Sequence, residues 1–316
     1  MSEFNSIRTA LPHYDRWGEL YPFESHYLNL SGSRYHYLDE SPTNNTSSNL
    51  PTLLFVHGNP TWSFHWRRLI LAHSEHYRCV APDHLGCGLS GLQHQPQTLA
   101  DHIDNLVQLV EGLNLERITL VAQDWGGAIG LGALLKASDR FERVALFNTG
   151  AFPPWFIPWR IRVCRWPILG QMALKGANGF SRAALRLTLA RSKRLDARVA
   201  EAYLAPYHSW QRRHAVHQFV KDIPLSARHP TWKTLQQIEE GLPGLYHLPI
   251  QLIWGMKDWC FTPECLDKSC EHWPHAEVQK LENVGHWVVE DAPEVAESLF
   301  GVWLTRTSPT RLEVHS

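Results

Sequence analysis

The sequence has no surplus of charge of either sign: 30 Lys and Arg stand against 31 Asp and Glu, a net charge of −1 at pH 7. A balanced chain has no whole-molecule field to gather polyanions, which argues against nucleic acid or an anionic membrane surface as the partner. Long apolar runs are also missing. The opening stretch MSEFNSIRTALPHYDRW lacks the hydrophobic segment of a secretory signal, and no later stretch reaches the roughly 20 uncharged residues of a membrane helix. The expectation is a cytoplasmic protein without a membrane span. Cysteine is sparse: the six lie at 79, 87, 164, 260, 265 and 270, and no two CxxC pairs stand at zinc-ribbon spacing. Reduced, buried thiols are expected, with no metal site. Internal repeats are absent, and the only biased stretch is the polar loop SPTNNTSSNLP. A small molecule is the partner that remains.

At 316 residues the chain is long enough for one large core carrying an insertion. Short β-rich runs at 35–38, 52–56, 77–81, 118–122 and 144–147 alternate with helical patterns, which predicts parallel βαβ units. Residues 99–113 read as an amphipathic helix with Ile103, Leu106, Leu109 and Val110 on one face. After residue 150 the alternation fails, and residues 151–232 are helical, rich in Arg, Trp and Leu, without strand patterns. Strand character returns at 250–254 and 278–281, before a closing helix at 293–304. The expected fold class is α/β with a mostly parallel central sheet, its core split into 1–150 and 233–316 around a helical cap at 151–232.

The chemistry concentrates at strand ends. In TLVAQDWGGAIG, a buried strand meets a Gly-rich helix start with Asp124 at the junction, flanked two residues away by Ala122 and Gly126. That is the layout of a nucleophile elbow, G-x-S-x-G, with a carboxylate in place of the serine. A carboxylate attacking an ordinary ester gives a labile mixed anhydride, whereas attack on a saturated carbon gives a stable ester, so displacement at sp³ carbon is favoured. The ordinary alternative is a helix-capping Asp. In ENVGHWVVEDAPEVA, His286 occupies a loop between the last strand and last helix, where the fold presents its base. Nineteen histidines make an arbitrary one unremarkable, so position carries this choice. In LIWGMKDWCF, Asp258 follows a buried strand and is placed to orient the imidazole; a turn Asp is the alternative. The competing position for the acid, after the preceding strand, holds the uncharged Asn148. In FVHGNPTWSFHWR, the Asn59 and Trp125 backbone N–H groups are oxyanion-hole candidates, and the Asn59 amide and Trp125 indole are neutral donors suited to a departing anion.

Together with VAPDHLGCGLS, these stretches resemble the haloalkane dehalogenase family of the α/β-hydrolase superfamily, in its third subfamily, across both halves of the core. The segments RIRVCRWPILG and YHSWQRRHAVHQFVKDIPL are similar to the β-lactone decarboxylases of olefin biosynthesis. The resemblance implies that Asp124 forms an alkyl ester, His286 activates water, Asp258 completes the triad, and Asn59 and Trp125 bind halide, with no cofactor. Its substrate is then small and apolar, with water as co-substrate. On the lactone reading the same Asp124 opens a four-membered ring and carbon dioxide leaves an alkene. An epoxide hydrolase would need acid donors in the cap, for which Tyr203 and Tyr207 are the candidates. A catalytically dead binding protein would not need nucleophile, base and acid together. For AFPPWFIPWRIRVCRWPILG the expected role is to cover the active site; a plain packing layer, or an exposed patch joining subunits or touching lipid, are the competing readings. The resemblance also implies self-association through this region.

Overall fold

Strands such as TLLFV and ITLVAQD are apolar without alternation, the pattern of strands covered on both faces. In the computed structural model, which describes residues 7–30, 32–42, 50–92, 95–166, 170, 172–176, 178–190 and 194–308, they sit at the centre of an eight-stranded sheet. The strands are β1 (His26–Leu30), β2 (Ser33–Glu40), β3 (Thr52–Val56), β4 (Arg78–Pro82), β5 (Ile118–Asp124), β6 (Phe141–Thr149), β7 (Ile250–Gly255) and β8 (Glu277–Leu281). Their spatial order is β1-β2-β4-β3-β5-β6-β7-β8; β2 pairs antiparallel with both β1 and β4, and every other pairing is parallel. β1 was not legible in sequence, because HYLNL is a half-exposed edge strand without an apolar run. Most of the polar loop, residues 43–49, lies outside the described residues.

Helices α1 (Arg67–His73), α2 (Leu99–Gly112) and α3 (Trp125–Lys136) make the crossovers between β3, β4, β5 and β6. α2 begins at a reciprocal cap in which Thr98 N–H donates to Asp101 Oδ2 at 2.7 Å. Between β6 and β7 the chain is helical: α4 (Trp159–Cys164), α5 (Gly179–Leu187), α6 (Ala197–Leu204), α7 (His214–Asp222) and α8 (Pro230–Gly241). α8 packs back onto α2 and α3. α9 (Pro263–His272) and the closing α10 (Pro293–Thr307) complete the chain's helices that matter here.

The sheet's period of two divides the core. Leu54, Val56, Leu120 and Ala122 point into a layer shared with α2, α3 and α8, while Leu53, Phe55 and Val121 point into a second layer holding Trp62, Trp66 and Trp303. A buried ion pair joins α1 to the start of the final helical segment, with both Arg67 guanidinium nitrogens on the Glu290 carboxylate. The chain leaves β3 for β4 on one side and returns to β5 on the other, so the crevice between the ends of β3 and β5 is a topological switch point, where open α/β sheets bind ligands.

Candidate active site

Asp124 ends β5 and precedes α3 at φ 56°, ψ −132°, a backbone region that a non-glycine residue occupies only when its surroundings impose it. The surroundings here are contacts that admit no side chain. A Cβ at Gly126 would collide with the Val56 and His57 carbonyls of the neighbouring strand end, and one at Gly127 with the Thr149 side chain. Gly58 is required equally, since a Cβ there would strike the Asp124 carboxylate. Although Asp124 stands at the N-cap position of α3, its side chain makes no capping hydrogen bond. The helix-cap alternative is therefore ruled out, and the carboxylate turns into the crevice.

The sheet brings the three expected residues together. His286 Nδ1 lies 2.7 Å from Asp258 Oδ2, and its Nε2 lies 3.4 Å from Asp124 Oδ2. All three are buried. Burial opposes charge on the imidazole; the Asp258 carboxylate and hydrogen bonds to Asp124 and Asp258 outweigh it and raise the His286 pKa from 6.5 to about 10. The two flanking carboxylates thus favour proton uptake by the imidazole. Phe261 stacks on the imidazole with ring centroids 5.6 Å apart, fixing its plane.

Two neutral side chains that sequence reasoning did not assign complete this arrangement. Asn148 spans β6, β7 and the acid: its Nδ2 donates to Asp258 Oδ2 and to the Gly255 carbonyl, each at 3.0 Å, and its Oδ1 accepts from Gly255 N–H at 2.7 Å. With Cys260 N–H also donating to Asp258 Oδ1 at 2.7 Å, the acid is tied on both oxygens. Gln123, one residue before the elbow, donates to the His286 carbonyl at 3.0 Å, and the same nitrogen lies 3.0 Å from His286 Nε2. Its only sequence signal was a polar residue directly after the apolar run Leu120–Ala122.

Asn59 enters through its backbone: its N–H donates to Asp124 Oδ1 at 2.7 Å. Its side-chain amide also donates to the Val216 carbonyl of α7 at 3.2 Å, linking this donor to the cap. Among the described residues, the Trp125 indole N–H has no hydrogen-bond partner, and its ring rests against Phe219 at 5.5 Å. Both residues line a cavity of about 220 Å³ that contains Asp124 and His286. The cap supplies its apolar wall, from Phe156, Ile157, Ile161, Phe180, Leu187 and Val220. Cys260 also borders it, but burial, followed by the Asp258 and Asp124 charges, raises its pKa well above the ordinary value and keeps it a thiol. All six cysteines are unpaired; Cys79 and Cys87 are buried as expected, whereas Cys164, Cys265 and Cys270 are half-buried, and Cys260 keeps slight exposure where it borders the cavity.

Tyr203 and Tyr207 do not border the cavity. The first hydroxyl donates to Glu290 Oε1 at 2.6 Å and the second to the Thr61 carbonyl at 2.9 Å, so both are committed to structure. Among the described residues, no cluster of three or more His, Cys, Asp or Glu could hold a metal ion, and no helix is long and apolar enough to cross a membrane.

A carboxylate at a strained elbow, with an imidazole and a second carboxylate at neighbouring strand ends, defines an α/β-hydrolase site. The chain matches the alpha/beta hydrolase fold family over residues 51–293 and belongs to it, in the branch that holds haloalkane dehalogenases and oxetanone decarboxylases. It is 35% identical over 305 residues to a cis-3-alkyl-4-alkyloxetan-2-one decarboxylase of Shewanella oneidensis, covering 94% of this chain and 93% of that one. It is 34% identical to haloalkane dehalogenase 2 of Mycobacterium bovis, covering 87% and 93%. The crystal structure of the haloalkane dehalogenase DatA from Agrobacterium tumefaciens superposes with a TM-score of 0.80 at 23% identity, covering 90% of this chain and 97% of that one, which establishes the shared fold.

Proposed function

We propose that this enzyme acts at saturated carbon through an ester of Asp124, and that it is a haloalkane dehalogenase that hydrolyses alkyl halides. The observation that carries the reading is the division of labour between the two Asp124 oxygens. Oδ1 accepts the Asn59 N–H at 2.7 Å, while Oδ2 lies 3.4 Å from His286 Nε2, and both residues line the cavity.

In the first step Oδ2 bonds to the alkyl carbon as the carbon–halogen bond breaks, and the halide leaves with the bonding pair. The Trp125 indole N–H and the Asn59 amide are the neutral donors available to it, in a chamber whose remaining wall is mostly apolar. No proton moves, so this step does not depend on the protonation state of His286. Esterification then removes the Asp124 charge, one of the influences that raises the His286 pKa, so a proton held by the imidazole is released to solvent and Nε2 is free to act as base. His286 Nε2 takes a proton from water as its oxygen bonds to Asp124 Cγ. Negative charge develops on Oδ1, where the Asn59 N–H is already aimed, so the donor needs no reorganisation. Collapse breaks the Cγ–Oδ2 bond, the alcohol departs with that oxygen and a proton from His286, and the water oxygen stays in Asp124, whose carboxyl releases the second water proton to regenerate the carboxylate. Asp258, held by Asn148 and the Cys260 N–H, stabilises the imidazolium meanwhile.

The sequence likeness to the oxetanone decarboxylase across 94% of the chain favours a second reading of the same site. Oδ2 would displace the ring oxygen of a β-lactone, the freed carboxylate would leave as carbon dioxide, and its bonding electrons would form the alkene while expelling Asp124. That cycle consumes no water. An epoxide hydrolase lacks support, because neither cap tyrosine reaches the cavity.

Incubation with a panel of bromoalkanes tests the first reading: bromide release with formation of the alcohol is expected. Intact bromoalkanes together with conversion of a cis-dialkyl β-lactone to alkene would move the assignment to the second.

A further inference from the structure

We propose that the cap docks on an anionic lipid surface, with the mouth of the cavity against the bilayer. The cap helix α4 is inverted relative to an ordinary surface helix. Ile161 is buried, while Trp159 is 69% exposed and Val163, one turn on, is 43% exposed. Trp155, Phe156, Trp166, Met172 and Leu187 are exposed too. Apolar residues concentrated in one region to this extent mark an interaction surface rather than scattered exposure. The region is also electrostatically one-sided. Residues 151–190 contain six Lys and Arg and no Asp or Glu, although the whole chain is balanced. Arg160, Arg162, Arg182 and Arg186 are exposed among the apolar residues, and Arg160 lies over the Trp159 and Trp259 rings. Lys175 does not add to this face, being buried against His214, and Arg165 is held by the Val220 and Ile223 carbonyls.

Exposed tryptophan beside arginine, with no acid between them, matches the two zones of a lipid interface. Indole settles at the headgroup level, and guanidinium meets the anionic lipid. A second copy of the same face fits worse, because an isologous contact sets these arginines against themselves with no acid in the segment to neutralise them. Position agrees with the composition. Phe156, Arg160 and Leu187 line the cavity and are exposed at the same time, so the cavity opens within this face. An apolar molecule dissolved in the bilayer would then enter without crossing water. The docking itself does not depend on which substrate class is correct.

Cosedimentation with two vesicle types provides the test: phosphatidylcholine alone, and phosphatidylcholine with about a third phosphatidylglycerol. Two variants avoid the cavity lining, Arg162→Gln/Arg182→Gln/Arg186→Gln and Trp159→Ser/Val163→Ser. Wild type should partition onto the anionic vesicles. With each basic residue worth about fivefold at an anionic surface, the triple variant should lose on the order of 100-fold. The Trp159/Val163 variant should bind more weakly, and both variants should turn over a water-soluble substrate like wild type. Absence of wild-type partitioning onto anionic vesicles overturns the proposal, as does partitioning that neither variant weakens. So does an oligomer that the Trp159/Val163 variant dissociates while wild type ignores vesicles, since a second copy would then cover the face.

Discussion

Replacing His286 by glutamine separates the two chemical steps. Alkylation of Asp124 needs no proton transfer, whereas hydrolysis of the ester needs a base at the position of His286 Nε2, 3.4 Å from Asp124 Oδ2. A positioned general base contributes about 10²- to 10⁴-fold, so kcat on a bromoalkane should fall by roughly 10³ while the first turnover proceeds. The fold should tolerate the change. Asp258 keeps its bonds from Asn148 at 3.0 Å and Cys260 N–H at 2.7 Å, so the losses are the charge-assisted contacts of His286 with Asp258 and Asp124, about 1.5–3 kcal/mol each at most. Rapid-quench measurement should show a burst of one bromide per active site, and peptide mass spectrometry should place the alkyl group on Asp124. Near-wild-type turnover, a folded variant with neither burst nor adduct, or an adduct on Cys164 or Cys260 would refute the reasoning. The variant also divides the two substrate classes: lactone decarboxylation uses no water and should continue over many turnovers.

Asp258→Asn should lower kcat by about 10³- to 10⁴-fold through loss of imidazolium stabilisation during ester hydrolysis. Adding Asn148→Asp, which restores a carboxylate beside the same oxygen, should recover part of that loss, as steady-state kinetics would show. The folded His286 pKa of about 10 lies above the ordinary 6.5, so its stabilisation is complete below pH 6.5 and disappears as pH rises through 10. The urea midpoint should fall over that window, with His286→Gln lacking this component. Gly126→Ala drives a methyl into the Val56 carbonyl, and a loss of at least about 2 kcal/mol in chemical denaturation is expected. Arg67→Met leaves the buried Glu290 charge without its partner and should cost about 3–5 kcal/mol, while Arg67→Met/Glu290→Gln should recover much of it.

Local sequence was enough to recognise the elbow, because a lone Asp between an apolar strand and a Gly-rich helix start is a short-range pattern. The central strands were legible for the same reason, their side chains being apolar on both faces. Strand β1 was not, since an edge strand's identity lies in its partner and not in its own composition. The loop positions of His286 and Asp258 could be ranked by chain order, but their meeting at 2.7 Å depends on β7 and β8 lying side by side.

What the sequence by itself determined is the candidate carboxylate at the elbow and the class of fold, since both reside in contiguous residues and their periodicity. The tertiary structure alone decided which neutral side chains hold the imidazole and its acid, that Tyr203 and Tyr207 are withheld from the cavity, and that Arg160, at the cavity's edge, lies over the exposed Trp159 ring and the Trp259 ring. Those outcomes join residues far apart in the chain, and their physical cause is the stacking order of strands and the way the cap helices close over their ends.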